Sequence, residues 1–221
     1  MKKAIILGIF LSHQAFAFSD LNEQVSWFQG LFGNPTSSTQ ITKTEFNQGD
    51  TRPKAALKGV FYFGGSDAKR KLLSNDYRKL LCESGFSKIY SVYIKVDKNI
   101  SCENNNLSYS YIGEARTNQK SGDRVYELLS RIHNIIQRDG AVPAIYLHCY
   151  YGVHASNTIA QMALMQFCGI SKEQAHKNWH ANDIYNSLGA EGTAKQMRKI
   201  NNFEPYNEFA ISKEQQAKVC Y

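Results

Sequence analysis

From Gly59 onward, short β-prone runs of apolar residues alternate with longer stretches in which apolar residues recur at helical spacing. The runs 60–63 and 88–94 predict buried strands. Between them, the helical spacing over 72–83 predicts a helix that stops at Gly85. The polar stretch 97–106 predicts a turn.

The same alternation continues through the second half of the chain. Runs at 107–112 and 144–147 predict strands, and helical spacing predicts helices over 123–138, 171–181 and 190–200. A further helix is indicated by residues at helical spacing after the last strand: Ile159, Met162, Ala163, Gln166 and Phe167. Strands interleaved with helices predict an α/β sandwich with a mostly parallel central sheet and flanking helices, and a site at the carboxyl ends of its strands.

The first 58 residues do not follow this alternation. Lys2 and Lys3, an apolar stretch over 4–11 and the small-x-small sequence Ala15-Phe16-Ala17 are typical of a secretory signal peptide over 1–17. Residues 18–58 are mainly polar and predict an N-terminal arm. We therefore expect one α/β domain over 59–221, a periplasmic or secreted location, and no integral membrane segment.

Charge and cysteine content narrow the classes of function. The formal net charge is +7, and loss of Lys2 and Lys3 with the leader lowers it by two, to +5. Without aromatic residues interleaved in a concentrated basic patch, this balance does not predict nucleic-acid binding. Five cysteines in an exported chain predict disulfides with one thiol left over. Our hypothesis pairs Cys82 with Cys102 and Cys168 with Cys220, leaving Cys149 free.

A histidine-cysteine pair, His148-Cys149, lies between the strand 144–147 and the helix that follows it. A loop entering a helix N-terminus presents unpaired N–H groups and partial positive charge, which bind anions and favour a thiolate. Gly152 permits a tight bend, and Ser156 is expected to cap the helix or to donate a hydrogen bond to the thiolate. The pattern predicts a nucleophilic Cys149 over a phosphate cradle formed by Tyr150, Tyr151, Gly152, Val153, His154 and Ala155.

At these positions the chain resembles the cysteine-dependent tyrosine and dual-specificity phosphatase superfamily, whose signature is His-Cys, five residues, Arg, then Ser or Thr. His148, Cys149, Gly152 and Ser156 match it. The resemblance implies a phosphatase-like three-layer sandwich and hydrolysis of phosphate monoesters through a phosphocysteine, without cofactor or metal. Its implied partner is a phosphorylated small molecule or a phosphoprotein.

The signature arginine, however, is Ala155 in this chain. Arginine grips phosphate bidentately, and loss of a comparable arginine in phosphoryl transfer costs roughly 10³- to 10⁵-fold in rate. His154, beside this position, and Arg116, in the segment of the family's mobile general-acid loop, are our candidate replacement cations. By the same resemblance Glu114, which lies 35 residues before Cys149, is our candidate general acid.

Several alternatives remain at this point. A pseudophosphatase would keep the cradle as a binding site without turnover, and a structural envelope protein would use its cysteines only as cross-links. A papain-like protease would need His176 or His180 together with Asn182, in an order that the preceding strand opposes. The same two histidines, four residues apart, are a weak pattern for a metal site. The pair Gly64-Gly65 is attributed to a turn, not to a nucleotide-binding loop.

Overall fold

The computed structural model describes residues 53–66, 72–93, 95, 97–103, 105–113, 124–138, 144–183 and 188–221. Its strands are β1 (Lys54–Leu57), β2 (Phe61–Gly64), β3 (Phe86–Ser91), β4 (Asp97–Cys102), β5 (Asn105–Tyr111) and β6 (Ala144–His148). Its helices are α1 (Asn75–Glu83), α2 (Arg124–Ile136), α3 (Ala155–Cys168), α4 (Lys172–Asn182), α5 (Gly189–Asn201) and α6 (Lys213–Val219), with a 3-10 turn at Asn207–Phe209. The predicted signal peptide and most of the predicted arm lie outside the described residues.

The strands form one sheet in the order β1-β2-β6-β3-β5-β4. The four central strands are parallel, whereas β1 and β4 pair antiparallel with β2 and β5 at the two edges. The prediction of a mostly parallel sheet is therefore wrong at both edges, and the sheet is mixed. Each edge strand joins its neighbour through a connection too short for a crossover helix, so only antiparallel pairing is available to it.

Alternating side chains of the sheet divide the core into two parts. Ile145 and Leu147 of β6 pack into the larger part, which contains apolar residues of α2 to α6, while Tyr146 points to the opposite face. On that face α1 contributes Tyr77 and Leu81. The result is a helix layer on each side of the sheet. Among the described helices, none is long and apolar enough to cross a membrane.

The elements that sequence analysis missed are polar or lie at the edge. The predicted turn over 97–106 is in fact the hairpin β4–β5, whose edge strand exposes Lys98 and Asn99 to solvent and so lacks an apolar run. Strand β1 (Lys54–Leu57) lies near the end of the predicted arm 18–58, where no strand was predicted. Helix α6, which was not predicted, begins after the capping residue Ser212 and buries Val219 against the core.

The disulfide hypothesis is confirmed. Cys82 of α1 is bonded to Cys102 of β4, and Cys168 at the end of α3 is bonded to Cys220 after α6. Cys149 is free and buried. The first bond joins α1 to an edge strand, and the second joins the end of the chain to the helix that follows the cysteine loop.

Removing either disulfide should destabilise the fold by about 2 to 5 kcal/mol. The two bonds span 20 and 52 residues, and the chain-entropy argument makes the longer one worth about 0.8 kcal/mol more. We expect Cys168→Ser/Cys220→Ser to lower the free energy of unfolding more than Cys82→Ser/Cys102→Ser does, as measured by urea unfolding. The reverse order would show that contacts of β4, not loop closure, dominate.

Candidate functional site

Strand β6 delivers Cys149 to the carboxyl edge of the sheet. Cys149 N donates to Gly64 O at 3.1 Å, and on the other side Val92 N donates to His148 O at 3.1 Å. Hydrogen bonds from both neighbouring segments thus fix the position of Cys149. It is the first residue of the loop 149–155, which we call the cradle. This edge is where ligands bind in open α/β sheets.

Gly65 lets the end of β2 lie directly against the cradle backbone. It forms a bridge with Tyr151, and Ser66 N donates to Tyr150 O at 3.0 Å. A Cβ on Gly65 would lie 2.9 Å from the carbonyl carbon of Tyr151 and 3.0 Å from the nitrogen of Gly152. Those are backbone atoms that cannot move aside cheaply. A turn alone therefore does not explain Gly64-Gly65, because the second glycine is needed for this close approach.

Two hydrogen-bond donors converge on the sulfur of Cys149. Gly152 N lies 3.3 Å from Sγ and the hydroxyl of Ser156 lies 3.1 Å from it. Gly152 has φ of 74°, in the left-handed region that glycine adopts without strain. Both groups are hydrogen-bond donors, and sulfur accepts such bonds weakly as a thiol and strongly as a thiolate. Cys149 itself is only 3% exposed.

Ser156 lies inside the first turn of α3, with Ala155 as the first helical residue. Of its two expected roles, the geometry therefore matches the hydrogen bond to sulfur and not the helix cap. Its hydroxyl is also 3.1 Å from Gly64 O. Since a serine has one hydrogen to donate, a change of charge on Cys149 would move that hydrogen between the two acceptors.

His148 anchors the cradle from below. The ring is fully buried, with Nε2 2.6 Å from the hydroxyl of Tyr109 and Nδ1 3.2 Å from Cys149 O. The Cys149 carbonyl can only accept, so Nδ1 carries the hydrogen and Nε2 accepts from Tyr109. Leu73 N completes the chain by donating to the Tyr109 hydroxyl at 3.4 Å. His148 therefore orients the first peptide of the cradle.

His154, the residue before α3, turns towards helix α4. Its Nε2 lies 3.5 Å from Oδ1 of Asp183, and these side chains are 8% and 1% exposed. The ring also lies 6.1 Å from that of Trp179, whose indole nitrogen donates to Thr158. Burial lowers the pKa of His154 below its ordinary value, and the charge and hydrogen bond of Asp183 oppose that shift.

The side-chain amide of Asn157 fixes the end of the cradle. It donates to Val153 O at 3.2 Å and to Trp179 O at 3.1 Å, and its oxygen accepts from Gln161. A buried amide with all of these bonds made is a rigid connector. The amide therefore ties the cradle to the carboxyl end of α4, the same place from which Asp183 reaches His154.

The cradle itself carries little charge. Ala155 is buried in the core and brings no cation. Tyr151 and the nearby Tyr93 are 41% and 39% exposed. The ring of Tyr150 packs near both. Its centre lies 5.8 Å from that of Tyr151 and 6.0 Å from that of Tyr93. Among the described residues, the mouth of the cradle thus presents aromatic rings.

The remaining candidates divide between described and undescribed residues. Glu114 and Arg116 lie outside the described residues, so their predicted roles stay predictions. His180 is exposed, and Asn182 bonds to Lys54 Nζ at 3.0 Å. Within the described ranges, no cluster of His, Cys, Asp or Glu side chains is arranged to hold a metal.

Asp183 and Gly65 are the site residues that sequence analysis missed. Asp183 is 34 residues beyond Cys149, and no local pattern marks it, since it reaches the cradle only because α4 packs on α3. Gly65 belongs to the pair Gly64-Gly65, which follows a predicted strand. At such a position a glycine can indicate that another backbone passes close by, as well as a turn.

No protein-family model matches the chain, and no curated protein matches it. Among solved structures, the one titled "Crystal structure of Tk-PTP in the active form" is similar to it with a TM-score of 0.42 and 13% identity. The match covers 67% of this chain and 95% of that chain.

The lowered pKa of His154 gives the fold a pH dependence. Because the unfolded chain binds this proton more readily, the free energy of unfolding should fall as pH decreases from about 6.5 towards the lower pKa of the folded state. We expect His154→Gln to flatten this slope in urea unfolding between about pH 5 and 8. His180→Gln, which changes an exposed histidine, is the control and should leave it unchanged. An equal slope in His154→Gln and the native protein would contradict the assignment.

Proposed function

We propose that this chain is a cysteine-phosphatase-like protein whose cradle binds the phosphoryl group of a monoester and places it against Cys149. The observation that carries the proposal is the convergence of Gly152 N–H and the Ser156 hydroxyl on the sulfur, at the point where a central strand enters helix α3. Two donors directed at the sulfur would stabilise it as it attacks and as it leaves, and the amides of a helix N-terminus suit an oxyanion.

The chemistry follows from these parts. The thiolate of Cys149 attacks phosphorus, the P–S bond forms, and the bond to the ester oxygen breaks. A general acid protonates the leaving oxygen, and Glu114 is proposed for that role from its place in the sequence. Water then attacks the phosphocysteine, and the sulfur departs as a thiolate that Ser156 stabilises by its hydrogen bond. The products are an alcohol and inorganic phosphate.

Binding without turnover is the second candidate, and Ala155 favours it. In the resembled family an arginine at this position neutralises charge that develops during transfer, whereas here the side chain is a buried methyl group. Such a protein would hold a phosphorylated or other anionic ligand in the same cradle. Arg116 and His154 are both proposed as replacement cations, and His154 is the one nearer to Ala155 in sequence.

Other classes fit the described contacts less well. A papain-like enzyme needs His176 or His180 bonded to its cysteine, but within the described part of the chain Nε2 of His176 is buried without a hydrogen-bond partner and His180 is exposed. A protein that uses its cysteines only as cross-links would not need donors directed at the unpaired one. We therefore rank both below a phosphate-binding cradle.

The proposed setting is outside the cytoplasm. Two disulfides suit an oxidising compartment, and residues 1–17 have the pattern of a signal peptide. The proposed partner is a phosphorylated small molecule or a phosphoprotein. The exposed rings of Tyr93 and Tyr151, together with a cradle that has no lysine or arginine, suit a ligand with one phosphoryl group better than a polyanion.

Hydrolysis of a small aryl phosphate by residues 18–221, measured across about pH 4 to 8, tests the proposal. Native activity should be low and should vanish in Cys149→Ser. Ala155→Arg should raise it by about 10³-fold or more, because a guanidinium stabilises the charge of the transition state. Ala155→Gln is the matched control, with comparable bulk and no charge.

The outcomes separate the two candidates. Native turnover that depends on Cys149 supports the enzyme, and turnover that appears only in Ala155→Arg supports a binding protein with an intact cradle. Absence of turnover in both, with no binding of inorganic phosphate or tungstate to the native protein, would refute the cradle itself.

A further inference from the structure

A buried tyrosine on the far side of the sheet reaches the backbone that supports the cradle. Tyr146 of β6 is fully buried in the part of the core that packs against α1. Its hydroxyl donates to Gly65 O at 2.9 Å. Gly65 is the residue whose backbone lies directly against Tyr151 of the cradle. The hydroxyl of Tyr146 therefore holds the end of β2 at the point where it meets the cradle.

Packing fixes where this hydroxyl lies. The ring of Tyr146 meets the rings of Tyr77 and Phe86 edge-on, with ring centres 6.2 Å and 6.1 Å apart. It also stacks on His148 at an interplanar angle of 16°, with centres 6.2 Å apart. These neighbours belong to α1, β3 and β6 itself, and a side chain packed from several elements has little freedom to shift. The donor is thus presented to Gly65 in one place.

The peptide between Gly65 and Ser66 is hydrogen-bonded at both of its polar groups. Gly65 O accepts from Tyr146, and Ser66 N donates to Tyr150 O at 3.0 Å. In a trans peptide the C=O and N–H groups point in opposite directions, so fixing the carbonyl also fixes the direction of the N–H. This peptide therefore relays the position of the Tyr146 hydroxyl to the carbonyl of Tyr150, a cradle residue.

The relay ends at a group that contacts the sulfur. The peptide that contains Tyr150 O also contains the N–H of Tyr151, and Gly152 N follows it in the chain. Gly152 N lies 3.3 Å from the sulfur of Cys149. Rotation of the first peptide would turn the Tyr151 N–H and displace the Gly152 N–H, because the two peptides share one Cα atom. Holding Tyr150 O thus holds both N–H groups.

The preceding carbonyl of the cradle is held from the same part of the core. His148 Nδ1 donates to Cys149 O, and Nε2 of that ring accepts from the buried hydroxyl of Tyr109. Tyr109 and Tyr146 lie in the same core cluster. Tyrosine hydroxyls therefore restrain two consecutive carbonyls, those of Cys149 and Tyr150. Such restraint fixes amide donors before a ligand arrives, which is what electrostatic preorganisation requires.

We propose that Tyr146 is a positioning residue of the cradle. Its hydroxyl, acting through Gly65 and Ser66, holds Tyr150 O in the orientation that presents the following two N–H groups to an oxyanion. Tyr146 acts through the backbone and not by contact with the ligand. This inference rests on the proposed function, because it requires an oxyanion in the cradle.

Tyr62 provides a matched control. It is 4% exposed, lies opposite Tyr146 in the pairing of β2 with β6, and belongs to the same part of the core. Its hydroxyl bonds to the backbone of Gly59. Gly59 precedes β2, whereas the cradle lies beyond the other end of that strand. Tyr62→Phe therefore removes a buried tyrosine hydrogen bond of the same kind at a distance from the cradle.

Calorimetric titration with tungstate at neutral pH tests the proposal. Tyr146→Phe should bind this oxyanion about threefold to tenfold more weakly than the native protein, which is the effect of one lost hydrogen bond. Tyr62→Phe should bind it as the native protein does. Urea unfolding should show a similar fall in the free energy of unfolding for both variants, so a general loss of stability cannot produce the difference in affinity.

A spectroscopic readout locates the effect. In protein whose glycine nitrogens carry an NMR label, the amide signal of Gly152 should shift in Tyr146→Phe and keep its native position in Tyr62→Phe. The shift is expected without tungstate, because the peptide reorients in the free protein. A tyrosine that only fills space would leave this signal in place, since phenylalanine keeps the ring.

The outcomes separate this inference from the function on which it rests. Equal tungstate affinity in Tyr146→Phe and Tyr62→Phe, or a Gly152 signal that stays in place in Tyr146→Phe, overturns the positioning role and leaves the cradle standing. Absence of tungstate binding in the native protein and in Ala155→Arg overturns both.

Discussion

The contact between the end of β2 and the cradle backbone is the constraint on which the site depends. Gly65 has no side chain, so its backbone lies against Tyr151 and Gly152 at a separation that a Cβ would prevent. That contact, together with the bond from Cys149 N to Gly64 O, sets where the loop leaves the sheet. The position of Gly152 N under the sulfur and the start of α3 both follow from it. A small backbone contact thus determines the geometry of the reactive group.

The order of strands and helices was largely predictable because buried elements carry a strong periodic signal. Strand β6, which is buried on both faces, gives a continuous apolar run, and α2 gives an apolar residue at every third or fourth position. The edges were not predictable in the same way. Strand β4 exposes Lys98 and Asn99 at the edge of the sheet, so a run that pairs as a strand has the composition of a turn.

The site divides along a similar line. Cys149, Gly152 and Ser156 are close in sequence, so a local motif was enough to group them, and the structure brings all three together. Asp183 reaches His154 only because α4 packs on α3. The hydrogen bond that Asn157 donates to Trp179 O depends on the same packing, and no local sequence pattern predicts it. Local chemistry could therefore be predicted, while the charges that surround it depend on tertiary contacts.

The unpaired state of Cys149 also has a consequence for how the chain acquires its disulfides. In an oxidising compartment each of the other four cysteines is a competing partner for this thiol until it is shielded. Two shielding groups belong to the cradle loop and to α3, since Gly152 N and the Ser156 hydroxyl lie 3.3 Å and 3.1 Å from the sulfur. If folding is oxidative, assembly of the cradle removes the fifth thiol from exchange and reduces the possible pairings to the three that four cysteines allow.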